Sequence, residues 1–154
     1  MDKILFALGI IVIWFYGFFL GITTCKAEEL YAIGTLRSYH QDRAANYNEK
    51  NGGIGLEAHF EHDVKVVGGE YKNSFRNKSN YYGVAWQPLH AGDVKAGLLA
   101  VKVSGYLEPK SKYALGAVPF VTWEYKQLLV NFVFLPPLFN QGLVAIQIGW
   151  NLTP

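Results

Sequence analysis

The chain has 154 residues, enough for one domain once a leader is set aside. A formal net charge of +2, small and unclustered, gives no footing for nucleic acid, and the single cysteine excludes an internal disulfide framework or a thiolate-rich metal site. With 16% aromatic residues, 16 glycines and only 17% charged residues, the composition is poor in charge for a water-facing surface.

Asp2 and Lys3 precede an unbroken apolar run from Ile4 to Ile22, followed by Thr23, Thr24, Cys25, Lys26 and Ala27. A charged start, an apolar core and a small-residue exit describe a secretory leader, with Cys25 and Ala27 in the −3 and −1 positions of a cleavage site. The expectation is a signal peptide over residues 1–27 and a mature domain over 28–154. A run of this length could also remain as a membrane anchor. A lipoprotein acylated on Cys25 is the third option, although Ile22-Thr23-Thr24 lacks the usual residues before the cysteine.

After Ala27 the apolar pattern has period two, the signature of strands. Eight segments follow in order: Leu30–Ser38, Gly53–Glu61, Val64–Ser74, Asn80–Gln87, Val94–Tyr106, Tyr113–Tyr125, Leu128–Leu135 and Leu143–Leu152. Each is long enough to cross hydrocarbon as a tilted strand. In the second, Ile54, Leu56, Ala58 and Phe60 share one face, while Gly55, Glu57, His59 and Glu61 share the other. The last repeats the pattern, with Val144, Ile146, Ile148, Trp150 and Leu152 opposite Ala145, Gln147, Gly149 and Asn151. A half-buried strand of a soluble sandwich would alternate in the same way. An even strand count, an export leader and aromatics near segment ends (Tyr81, Tyr82, Trp86, Tyr106, Tyr113, Trp123, Tyr125, Trp150) favour a membrane barrel.

Connections alternate as well. His62-Asp63, Pro88–Asp93 and Lys126-Gln127 are short, as periplasmic turns are. Tyr39–Gly52, Phe75–Ser79, Leu107–Lys112 and Pro136–Gly142 are mostly longer or more polar, as outer loops are. The fold expected is therefore all-β: an eight-stranded antiparallel up-and-down transmembrane β-barrel in a Gram-negative-type outer membrane, preceded by a signal peptide. A soluble exported β-domain is the alternative. The terminal strand carries Gln147, Gly149 and Leu152 as barrel-assembly machinery reads them, but ends Thr153-Pro154 without the usual aromatic.

Tyr47-Asn48-Glu49, Gly52-Gly53-Ile54-Gly55-Leu56, Tyr71-Lys72-Asn73-Ser74-Phe75 and Trp86-Gln87-Pro88-Leu89 occur in this order along the barrel segments. In these motifs the chain resembles the lipid A palmitoyltransferase family over about Gly34 to Leu152. It is also similar to shorter barrels of bacteriophage and proteobacterial genomes, which carry Ser38-x-His40 ahead of the Tyr-Asn-Glu run. The resemblance implies phospholipid and lipid A as partners, with an acyl chain passing from the first to the second. It also implies a histidine, an aspartate and a serine on the outer loops as catalytic residues. Ser74 stands at the serine position and Asn73 at the aspartate position. Without gaps the histidine position falls on Gly34, and His40 lies six residues further on, within reach if strand one is shifted. The candidate catalytic set is thus His40, Ser74 and Asn73. In a serine-protease triad, exchanging the carboxylate for its amide lowers turnover by about four orders of magnitude. A non-catalytic, surface-modifying barrel is the second reading.

The family also implies a lateral gate where prolines on neighbouring strands delete ladder bonds, and Pro119 and Pro136 match that pair; a bulge and a loop start are the plain alternatives. Glu57, His59 and Glu61 could hold a metal or pair with Arg37, Lys65 or Lys95 in the lumen; pairing is the expectation, and no metal site is assigned. The reading calls for no cofactor and expects a monomer.

Overall fold

Alternating apolar and polar residues become strands wherever the sequence shows them. The computed structural model describes residues 26–109, 112–137 and 142–153; the leader, as far as Cys25, lies outside the described residues. The strands are β1 Glu29–His40, β2 Lys50–Phe60, β3 Val64–Lys72, β4 Lys78–Ala91, β5 Val94–Ser104, β6 Tyr113–Tyr125, β7 Leu128–Leu135 and β8 Leu143–Asn151. Each pairs antiparallel with the next, and β8 pairs with β1 to close an eight-stranded barrel. The soluble sandwich of two open layers is thereby excluded.

The faces are the reverse of a water-soluble barrel. Ile54, Leu56, Trp86, Leu98, Leu115 and Trp150 point outward, with Leu115 81% and Ile54 71% exposed. Glu57, Lys65, Gln87, Thr122 and Asn131 are buried inside. An apolar exterior wrapped around a polar interior is stable where the surroundings are hydrocarbon. Trp86, Trp123, Tyr125 and Trp150 gather at the short-turn end, where Trp123 and Tyr125 stack at 5.9 Å. Two expected girdle residues belong elsewhere. Tyr81 is buried in the lumen, and Tyr106 reaches inward to hydrogen-bond the Tyr71 hydroxyl at 3.0 Å.

Turns at the short end are tight. His62 and Asp63 both take left-handed backbone, φ 61° each, as a primed hairpin turn asks. Glu61 falls in this turn and is exposed, so it does not line the lumen as expected. Strand β4 runs through Pro88 to Ala91 where a turn is expected from Pro88. A register shift between Trp86 and Leu89 absorbs the proline, which has no N–H for the ladder. Gly97 lies against this bulge. A Cβ there would sit 1.9 Å from the Trp86 carbonyl oxygen, so only glycine fits.

One irregularity governs the candidate site. In β1 the register shifts between Thr35 and Arg37 against both neighbours. Tyr31, Ile33 and Thr35 face inward; Leu36 and Arg37 both face out; Ser38 and His40 then face inward. A strict alternation from Tyr31 would turn His40 to the outside. The same bulge removes Arg37 from the lumen partners expected for Glu57 and His59.

The lumen has two zones. At the short-turn end, Glu57 accepts a hydrogen bond from Asn131 Nδ2 at 2.7 Å and bonds His59 Nε2 at 2.7 Å. Lys65 Nζ lies 3.4 Å from Glu57 and 3.1 Å from Glu124, which also pairs with Lys95 at 2.9 Å. Here the expected pairing of interior charges holds. Nearer the long loops, Val67, Leu99, Val118 and Phe120 form an apolar cluster extended by Val101, Val103, Val133 and Leu135.

Candidate active site at the barrel mouth

His40 ends β1 and Ser74 follows β3, yet the barrel brings them together. His40 Nε2 lies 2.7 Å from Ser74 Oγ, and both side chains are buried. The position of Ser74 follows from Asn73. Asn73 Oδ1 accepts hydrogen bonds from the backbone N–H groups of Phe75 and Asn77, folding residues 73–77 into a tight loop. Its Nδ2 donates to Ser79 Oγ at 2.9 Å and to the Gly105 carbonyl at 3.1 Å. Asn73 is therefore committed to the loop and does not join His40. An aspartate there could not donate to the Gly105 carbonyl and would bury a charge at a fully enclosed position.

A carboxylate is nevertheless present. Glu49 Oε1 lies 3.8 Å from His40 Nδ1 and accepts the His40 backbone N–H at 3.1 Å. Arg43 holds the same oxygen at 2.6 Å. The His40 N–H, and then the Arg43 guanidinium, keep the Glu49 carboxyl below the usual carboxylate range. With its acidity increased, the group stays ionised in mildly acidic solution and loses its charge only as pH falls through the lowered value. His40 Nδ1 has no hydrogen-bond partner among the described residues, and Glu49, at 3.8 Å, is the carboxylate placed to orient it and stabilise the imidazolium. The Tyr47 ring packs on the imidazole at 4.7 Å and limits its rotation.

The order Ser74, His40, Glu49 is that of a hydroxyl nucleophile, a base and an orienting acid. Glu49 is the residue missed from the sequence. Its own motif, Tyr47-Asn48-Glu49, is conspicuous, but its place beside His40 depends on the β1 bulge and on the Ser38 N–H reaching the Glu49 carbonyl at 3.1 Å. If Glu49 orients the imidazole, Glu49→Gln is expected to lower turnover on an ester substrate by about two to four orders of magnitude. Steady-state kinetics with short-chain phospholipid measures this. Unchanged turnover would remove Glu49 from the chemistry.

Pro119 lies within β6, outward-facing, opposite Leu98 of β5. The β6–β7 ladder runs from Tyr125–Leu128 only as far as Phe120–Val133. Above it, residues 113–119 of β6 have no ladder partner on β7 among the described residues, although β7 continues to Leu135. Pro136 follows the last residue of β7 directly. The two prolines thus border one interruption in the wall, beside the apolar zone of the lumen.

These features define an eight-stranded barrel of outer-membrane type with a serine–histidine–carboxylate cluster at its mouth. No known family profile and no curated protein sequence matches the chain. Among solved structures it is similar to the Yersinia pestis outer membrane protein Ail in a phospholipid bilayer nanodisc. That similarity has 15% identity, covers 82% of this chain and all of that one, and has a TM-score of 0.43.

Proposed function

We propose that this protein is an outer-membrane acyltransferase that moves an acyl chain from a phospholipid to lipid A. The observation that carries the reading is the 2.7 Å contact between Ser74 Oγ and His40 Nε2, with Glu49 behind the imidazole. Ser74 attacks the ester carbonyl while His40 takes the hydroxyl proton; collapse of the tetrahedral adduct returns that proton to the departing lysophospholipid oxygen. The acyl group, now on Ser74, passes to an acceptor hydroxyl whose proton goes to His40 and then to the departing Ser74 oxygen, restoring both side chains. Proton movement by a positioned histidine supports rates about a hundred- to ten-thousand-fold above the unassisted step.

Two further features support a lipid substrate. Val101, Val103, Val133 and Leu135 offer an apolar lining for one chain, floored by Leu99 and Phe120. The interruption between β6 and β7, bordered by Pro119 and Pro136, gives that chain a sideways entry from the bilayer, the lateral gate implied by the family resemblance. The second reading, a non-catalytic lipid-binding or surface-modifying barrel, draws on one observation: Ser74 and His40 are each only 4% exposed. Mass spectrometry of lipids from cells expressing the chain separates the two. Lipid A gaining one acyl chain with the natural sequence, and not with Ser74→Ala, is the result expected of the enzyme. Identical spectra for both, without the gain, would leave the binding barrel.

A further inference from the structure

Beside the candidate catalytic cluster, the β1–β2 edge carries a pair of cations that the acyl chemistry does not use. Arg37 and Lys50 are register partners, and both side chains are exposed. Neither makes an ion pair or side-chain hydrogen bond among the described residues. Like charges directly opposite in a ladder are destabilising, so this pair costs stability unless an anion lies between them.

The surroundings fit such an anion. Arg37 and Lys50 line a polar cleft of about 400 Å³ with Arg43, Asn46, Asn48 and Arg76, and His40 and Tyr47 close its inner side. Two carboxylates also border it, and both are engaged. Glu49 is held by Arg43 at 2.6 Å, and Asp42 Oδ1 accepts the Ala44 N–H at 2.9 Å. Arg76 is fixed by donating to the Asn46 carbonyl at 3.1 Å. A guanidinium carries five donors in a rigid fork, so Arg43 and Arg76 keep further N–H groups after these bonds. Forked donors facing ammonium and guanidinium charges match phosphate oxygens.

We propose that this cleft binds a phosphate group, presented by the headgroup of a membrane lipid. It lies at the outer rim, where the apolar belt gives way to polar loops, at headgroup depth. Because His40 and Tyr47 border the cleft, it adjoins the candidate catalytic cluster, and a phosphate held there would belong to the lipid the proposed reaction uses. The binding itself rests on Arg37 and Lys50, which the chemistry does not use.

The test titrates the purified full-length chain in neutral detergent with three probes, followed by calorimetry. These are dihexanoyl phosphatidic acid, dihexanoylglycerol and inorganic phosphate. Phosphatidic acid is expected to bind and dihexanoylglycerol not. The double variant Arg37→Gln/Lys50→Gln is expected to weaken phosphatidic acid about tenfold or more. Inorganic phosphate binding as tightly as the lipid would uphold the site and assign it to the free anion. Equal affinity of the double variant and the natural chain, or no binding of either phosphate probe, overturns the proposal. A second readout is independent of ligand: Lys50→Gln should raise the melting temperature of the unliganded chain by relieving repulsion. A fall would count against an anion-seeking pair.

Discussion

Ser74→Ala is expected to lower acyl transfer by about three orders of magnitude or more, with the barrel intact. The side chain is small, and besides Tyr106 it bonds His40 Nε2 at 2.7 Å. Loop 73–77 is held by Asn73 through backbone groups and Ser79, so the alanine leaves the scaffold in place. His40→Ala should cost a similar factor, and the double substitution little more, because a nucleophile and its base act as one unit. Release of lysophospholipid from a defined phospholipid in detergent measures all three. Additive losses would show that the two residues act separately. Retained turnover in Ser74→Ala would place the nucleophile elsewhere.

The second large effect concerns stability. Lys65→Met is expected to destabilise the barrel by about 3–5 kcal/mol, since it strips the cation from a buried charge cluster. Lys65 is 2% exposed and Glu57 1% exposed, with Thr122 also donated to at 3.2 Å. Removing the cation leaves Glu57 with His59 and Asn131, while Glu124 keeps Lys95. Adding Glu57→Gln should recover part of the loss, because the penalty lies in an uncompensated charge more than in a lost attraction. Urea unfolding in lipid vesicles reads both variants. A Lys65→Met loss below 1 kcal/mol would mean that water reaches this layer and screens it.

Much of this architecture was legible in the sequence because a period of two survives wherever both faces are demanded. β6 and β7 begin and end where the alternation does, at Tyr113–Tyr125 and Leu128–Leu135. Bulges were the obscure part. A bulge adds one residue and reverses every later side chain, and neither Leu36 nor Pro88 announces its hydrogen bonding in advance. The candidate site suffered most. His40 and Ser74 were identifiable as residue types that move protons and form esters, but their contact depends on the β1 bulge. Asn73 stood beside Ser74 in sequence and turned out to serve the loop. Glu49, nine residues beyond His40, is held beside the imidazole by the His40 backbone N–H donating to its carboxylate.

Everything depends on which side of the wall meets lipid. The direct measurement places spin labels singly at Ile54, Leu56, Leu98, Leu115 and Ile148 in a Cys25→Ser background, reconstitutes the chain in vesicles, and compares collisions with oxygen and with a water-soluble nickel chelate. Preferential access to oxygen at all five positions is the expected result, with a label at the rim residue Lys102 tilting toward nickel. Nickel access at the five apolar positions would mean that water bathes this surface, and the membrane barrel with its lipid chemistry would have to be abandoned.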